Sequence, residues 1–340
     1  MKSIVVRRPN EIGIENADTP DVKKGQALIK FKAAGICGSD INYYKGASQT
    51  PISYPLVLGH EIAGEVLEIE PNPEGIGVGD RVVISPYSYC GSCYPCSIGR
   101  TNCCKNIKVY GTHIDGCMME YLSHPVIHLC KAPADVPYEK LALAEPLAIA
   151  LHSLNRLRIT SGEHIVIIGT GAIGMISALA AMHYGAEPIM LDIADSKLDF
   201  AKSCGVKHAI NPLKLNAAEY ISDITGGAMA EAVMEVSGAA SAVKSCFDYA
   251  SNAGRVILTG WAKAPVELDT KLITRKELDV LGARNTDKSE ISEAIRLISE
   301  NKVDIDSVVT RKITFDEIPE TIAFMAGHPE ENIKVVALSE

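Results

Sequence analysis

Neither a secretory signal nor a membrane span is expected from this sequence. No stretch of its 340 residues approaches the length and hydrophobicity of a membrane span. The start, MKSIVVRRPN, has neither a long apolar run nor a small-residue cleavage site, which argues against a secretory signal. No basic block is present. The net charge of -9 is spread along the chain, and the pair Arg7-Arg8 reads as solvated, so neither nucleic acid nor a membrane surface is expected as a partner. There is no internal repeat and no low-complexity linker. Apolar residues make up 47%, ample for two cores, and the length suggests two domains. Ten cysteines without a secretion signal point to a reducing, cytoplasmic compartment, with the cysteines as metal ligands or free thiols.

Four of those cysteines carry the strongest signal. Cys90, Cys93, Cys96 and Cys104 form C-x2-C-x2-C-x7-C within CGSCYPCSIGRTNCC. Four thiolates this close can surround one zinc ion tetrahedrally, leaving no position for substrate, so the site reads as structural. A pair of disulfides is the alternative; the paired CxxC spacing favours zinc. Cys103 competes with Cys104 as fourth ligand, and Cys104 is preferred.

A second metal site is expected upstream. GICGSD places Cys37 beside Ser39 and Asp40, and VLGHEIAGEV places His60 and Glu61 between glycines. Thiolate, imidazole and carboxylate are all zinc ligands, and three protein ligands with one open position make a catalytic site.

The first part of the chain is rich in short β-type runs broken by Gly and Pro, including QALIKFKAAG, EIAGEVLEIE and DRVVISPY. The pattern turns helical in LALAEPLAIALHSLNRL and alternates strand and helix from Ser161. The predicted strands are HIVIIG, PIMLDI, HAIN, AVMEVSG, GRVILTG and LDVLGA, with helices from Ser196 through Cys204, from Ala239 through Ser251, and from about Lys288 to Asn301. Six alternations mean an α/β fold with a doubly wound parallel sheet. The tail returns to short strand and helix.

HIVIIG runs directly into Gly169-Thr170-Gly171-Ala172-Ile173-Gly174 and then a helix, which meets the context required of a dinucleotide fingerprint. Gly169 permits the turn, Gly171 lets a pyrophosphate approach backbone, and Gly174 lets helix and strand pack closely. The helix start offers unpaired N–H groups to the phosphates. Asp192 ends the next strand, where a carboxylate hydrogen-bonds a ribose 2′-OH and repels a 2′-phosphate, favouring NAD over NADP. A helix N-cap is the competing role for Asp192. Lys197 either reaches the ribose or is solvated.

With GHExxGxV, GDRV, the four-cysteine lobe, Glu145-Pro146 and GxGxxG in this order, the chain resembles the zinc-containing medium-chain dehydrogenases over essentially its whole length. Within them it is most similar to the polyol, threonine and sugar-acid branch. The resemblance implies a GroES-like, β-rich catalytic domain over 1–144, with the lobe at about 86–108, a Rossmann NAD domain over 145–284, and a return to the catalytic domain over 285–340. It implies one catalytic and one structural zinc, NAD, and a homodimer or homotetramer. Cys37, His60 and Glu61 are implied as zinc ligands, with Glu145 beside the metal or exchanging with Glu61.

The resemblance also implies that Thr259, Gly260, Trp261, Ala283, Arg284 and Asn285 line the nicotinamide and substrate. Tyr43 matches a position that contacts substrate or metal-bound water, its alternative being ordinary burial. His113 either approaches a substrate carboxylate or packs beside the lobe. GRTNCC, GTHIDG followed by Glu120-Tyr121, and Arg284-Asn285 look most like dehydrogenases of hexonates such as L-galactonate. Cys117 departs from them, standing where a second Gly follows DG. The implied reaction is oxidation of a secondary alcohol, with Ser39 relaying the proton, Glu145 moving protons or adjusting the metal, and Arg284 holding hydroxyls or a carboxylate. Rival readings are dehydrogenation of threonine or of a sugar phosphate and, from another class, a non-catalytic NAD-binding protein.

Overall fold

A computed structural model describes residues 1–48 and 51–339; Gln49, Thr50 and Glu340, the last residue of the expected tail, lie outside it. Contacts divide the chain into two units, Met1–Ala148 with Asn285–Glu340, and Ile149–Arg284. Glu145 and Asn285 thus fall with the first unit. None of the described helices is long and apolar enough to cross a membrane.

The second unit is built on a six-stranded parallel sheet. Its order is His208–Ile210, Glu187–Leu191, His164–Ile168, Ala230–Glu235, Ala250–Leu258, Asp279–Gly282. These are the six expected strands, and the α/β, doubly wound class is confirmed. The central runs are apolar on both faces because both are covered: Ile165, Val166, Ile167, Val233 and Met234 are all fully buried. The first strand of the unit lies in the middle, and the chain builds outward on one side before crossing to the other. The strand order therefore reverses beside the end of His164–Ile168, the crevice position where such sheets bind ligands.

The first unit is β-rich. Its seven-stranded sheet has Gln26–Ile36 near the middle, with Glu61–Ile69 antiparallel on one side and Lys334–Leu338 antiparallel on the other. Alternation along Gln26–Ile36 sends Ala27, Ile29 and Phe31 into the core. Phe31 meets Phe315 edge-on, ring centroids 5.0 Å apart. This register positions the chemistry. Gly35 lies opposite Glu61 on one neighbour and Val336 on the other, and Cys37 follows directly, at the start of the helix Gly38–Tyr44. The segment Cys90–Cys104 is different in kind. It holds the short helix Tyr94–Ser97 and the turn Thr101–Cys103, and its large apolar side chains Tyr94 and Ile98 point to solvent. Too little is buried there to fold the loop without a cross-link.

Candidate active site

In the lobe, Cys93 Sγ lies 3.5 Å from Cys96 Sγ and 3.8 Å from Cys104 Sγ, and Cys104 Sγ lies 3.5 Å from Cys90 Sγ. A disulfide would need about 2.05 Å. A tetrahedron with Zn–S bonds of about 2.3 Å has edges of roughly 3.8 Å, so the four sulfurs fit one zinc ion. Backbone N–H groups of Ser92 and Cys93 pull the Cys90 thiol down to about 5, towards the thiolate a metal requires. Cys103 faces elsewhere, its sulfur 3.6 Å from the Arg100 guanidinium.

In the second cluster His60 and Glu61 are buried and Cys37 is half-buried. Ligand atoms of Cys37, His60 and Glu61 lie within 4.8 Å of one another. The helix start fixes Cys37, since Asp40 Oδ2 accepts its backbone N–H at 2.9 Å. Asp40 Oδ1 faces His60 Nδ1 at 3.7 Å, which turns the other ring nitrogen to Ser39 Oγ at 3.3 Å. Burial opposes a charge on His60, but the Asp40 carboxylate and Cys37 outweigh it and hold the imidazole well above its ordinary range. A proton held this way is what a metal ion displaces on binding, because the ligand must be neutral. Neither Asp40 Oδ1 nor His60 Nδ1 has a hydrogen-bond partner. A thiolate, an imidazole and a carboxylate converging in an acid-rich place fit a zinc ion.

Three further residues surround this cluster, none of them assigned a role by the sequence alone. Asp40 was noticed only as a neighbour of Cys37. Lys334, from the last strand, is 1% exposed; its ammonium pairs with Glu61 Oε2 and donates to the Ile36 carbonyl at 3.0 Å. The tail run IKVVAL did contain a clue, a lysine within an otherwise apolar strand. Tyr87 donates its hydroxyl to Glu145 Oε1, both side chains being buried; no periodicity distinguishes it. Burial pushes the Glu145 carboxyl up to about 7, with Glu61 adding to the effect and His60 opposing it. Tyr43 is buried too, its hydroxyl 2.8 Å from Thr112 Oγ1, and burial pushes it up to about 12.

Other expected residues take plainer places. His113 is exposed, and its Nδ1 accepts the Val109 N–H at 3.1 Å. Cys117 is buried, and its N–H donates to the Gly59 carbonyl at 3.0 Å, directly under the His60 loop. Asn285 adopts φ 51°, and its side-chain amide donates to the Asn102 carbonyl at 3.2 Å, tying it to the cysteine lobe.

In the second unit, Gly169 has φ 112°, and a Cβ on Gly174 would stand 1.9 Å from the Gly169 carbonyl oxygen. Gly171 caps the helix Ala172–His183, with Ile173 in its first turn, and nothing stands within 4 Å of where its Cβ would be. Tight turn, open approach and close packing are the three demands of a pyrophosphate loop. Asp192 accepts N–H groups from Thr170 at 2.7 Å and Ala194 at 2.9 Å, so it braces the loop from the neighbouring strand end. Lys197 is half-buried in the helix that follows. The N–H groups of Thr259 and Gly260 each donate to the Glu235 carbonyl at 2.9 Å, and that of Ala283 to Leu258 at 3.0 Å. Trp261 and Arg284 are exposed. Glu235, unmarked in the sequence, is fully buried, and its carboxylate accepts from Ser237 and Gly238 N–H at 2.8 and 2.9 Å.

Comparison with known proteins agrees with these features. Residues 23–134 match the alcohol dehydrogenase GroES-like domain, and residues 172–300 the zinc-binding dehydrogenase family. An uncharacterized zinc-type alcohol dehydrogenase-like protein of Haemophilus influenzae is 48% identical over 99% of this chain and 98% of its own length. The L-galactonate-5-dehydrogenase of Escherichia coli K12 is 32% identical over 94% of each chain. Two solved structures each give a TM-score of 0.92 at 29% identity. One is a putative zinc-binding dehydrogenase from Sinorhizobium meliloti bound to NADP, covering 99% of this chain and 98% of that one. The other is a short chain alcohol dehydrogenase from Escherichia coli CFT073 with NADH, covering 99% of both. This chain belongs to the zinc-binding medium-chain alcohol dehydrogenases, in their polyol and sugar-acid branch, and is an oxidoreductase of CH–OH groups.

Proposed function

We propose that the chain is a zinc- and NAD-dependent dehydrogenase that oxidises a secondary alcohol of a hexonate such as L-galactonate, or of a related polyol, to a ketone. The observation that carries this reading is the convergence of half-buried Cys37 with buried His60 and Glu61, with Ser39 against His60 and Glu145 held nearby by Tyr87. One zinc would sit on those three ligands and another on Cys90, Cys93, Cys96 and Cys104. When bound, the catalytic zinc supplies Lewis-acid polarisation of the substrate hydroxyl, of the kind that brings bound water to a pKa of roughly 7, and the nicotinamide supplies the hydride acceptor.

The chain's own residues do the rest. Asp40 orients His60 and fixes which ring nitrogen faces the ligand cluster. Ser39 takes the substrate proton and passes it outward. Glu145, whose carboxyl burial pushes up to about 7, is placed to exchange protons near neutral pH. Tyr43 holds a substrate hydroxyl, and Arg284 offers a fork of a kind that suits a carboxylate. Asn285 also steadies the loop after Arg284 through its bond to Asn102.

The test is NAD reduction across aldonates, alditols, threonine and ethanol. A polyhydroxy acid should give the highest kcat/KM. A simple alkanol leaves polar groups unpaired, at about 1–3 kcal/mol each. Arg284→Ala should lower kcat/KM for the hexonate more than for a small alcohol. A preference for ethanol, or equal losses on both, overturns the hexonate reading; a preference for threonine moves the substrate to an amino alcohol.

NAD rather than NADP rests on Asp192. Replacing Asp192 with serine and the neighbouring, exposed Ile193 with arginine should move the ratio of kcat/KM values towards NADP. The shift should be about tenfold or more, the worth of a charge-assisted hydrogen bond gained and a repulsion removed. A wild-type enzyme that already works better with NADP refutes the role given to Asp192.

A further inference from the structure

Two carboxylates compete for the place of third ligand, and the structure treats them differently. Glu61 belongs to the cluster of ligand atoms within 4.8 Å, together with Cys37 and His60. Glu145 sits at the start of the helix Ala144–Leu157, buried within electrostatic reach of His60 and Glu61, with Oε1 taken by the Tyr87 hydroxyl. Tyr87 is itself held firmly. It lies in the short strand Tyr87–Ser88, paired with Val109 across an antiparallel ladder, and is 6% exposed. A buried phenol beside carboxylates serves as a donor, and an oxygen that accepts such a bond must surrender it before it can move onto a metal.

We propose that Tyr87 is a positioning residue that restrains Glu145 by one oxygen, keeping this carboxylate beside the zinc as a hydrogen-bonding group and leaving the open coordination position to substrate. The inference rests on the reading of Cys37, His60 and Glu61 as the catalytic ligands. Without the phenol, Glu145 is free to swing onto the metal as an additional ligand. The site would then hold zinc more tightly and turn over more slowly. Loss of a merely structural contact would loosen the metal and the fold together, so the two roles move zinc retention in opposite directions.

The experiment compares wild type, Tyr87→Phe, Glu145→Gln and the double variant, all purified with zinc. Zinc is withdrawn by a chelator and followed by a metal-sensitive dye, and kcat and KM are measured in parallel. Tyr87→Phe should release the catalytic zinc about tenfold more slowly and lower kcat by about tenfold to a hundredfold with KM little changed, the scale of one hydrogen bond to a charged group. In the Glu145→Gln background the same substitution should change neither quantity further. Unchanged or faster zinc release in Tyr87→Phe, or additive losses in the double variant, overturns the proposal. If wild type carries only one zinc per chain, held by the four-cysteine lobe, the catalytic-site reading fails instead. That outcome is told apart by metal content alone, before any Tyr87 variant is made.

Discussion

Replacing Lys334 with methionine should destabilise the first unit by about 3–5 kcal/mol, the cost of leaving a buried charge without its partner. The ammonium of Lys334 is fully enclosed, pairs with Glu61 and is anchored on the Ile36 carbonyl. Gly35 makes the space for this pair: a Cβ there would lie 1.9 Å from Glu61 Oε2 and 3.0 Å from Lys334 Cε. Burial alone would discharge Lys334, but the Glu61 carboxylate overrides it and holds the ammonium above its ordinary range, so the pair persists through neutral pH. Denaturant unfolding of the metal-free protein should show the full loss. The zinc-loaded protein should show less, because the cation then neutralises Glu61. Lys334→Arg should recover part of the stability. A change below about 1 kcal/mol in Lys334→Met would place the pair among those that contribute nothing net.

His60→Ala should lower kcat by about a thousandfold or more, since the charge stabilisation a catalytic metal supplies is worth several kcal/mol. Elemental analysis should find one zinc missing and the other in place. Cys93→Ser provides the reciprocal control, removing the lobe's zinc and keeping the one near His60. Full zinc content in His60→Ala, or activity within tenfold of wild type, would refute the assignment of His60.

The pattern of what could and could not be read from the sequence follows from distance along the chain. Cys90, Cys93, Cys96 and Cys104 lie in one loop, and Gly169 through Gly174 in one turn, so their spacing is already their geometry. The six strands of the second unit announced themselves as apolar runs because a parallel sheet is covered on both faces. The groups that tune the ligand cluster arrive from elsewhere. Lys334 reaches Ile36 across 298 positions, and Tyr87 reaches Glu145 across 58. Neither spacing leaves a trace that a local pattern can catch. Glu235 reads as part of an ordinary strand end, and only the turn at Ser237-Gly238 explains its burial. Asn285, placed by resemblance among substrate groups, also donates one amide N–H to the Asn102 carbonyl, a long-range bond that no local pattern announces.

The strand Lys334–Leu338 has a further consequence, for the order in which the molecule is made. It pairs directly with Gln26–Ile36, the strand that leads into Cys37. During synthesis, units emerge and fold from the N-terminal side, yet the strand Gln26–Ile36 lacks this neighbour until Lys334–Leu338 has left the ribosome. The unit formed by Ile149–Arg284 is continuous in sequence and can settle first. Glu61 meanwhile waits without its counter-charge. The acid-rich ligand cluster therefore becomes complete only after the Ile149–Arg284 unit has been made, and a chain cut short before Lys334 would carry every expected zinc ligand and still lack the pair that steadies one of them.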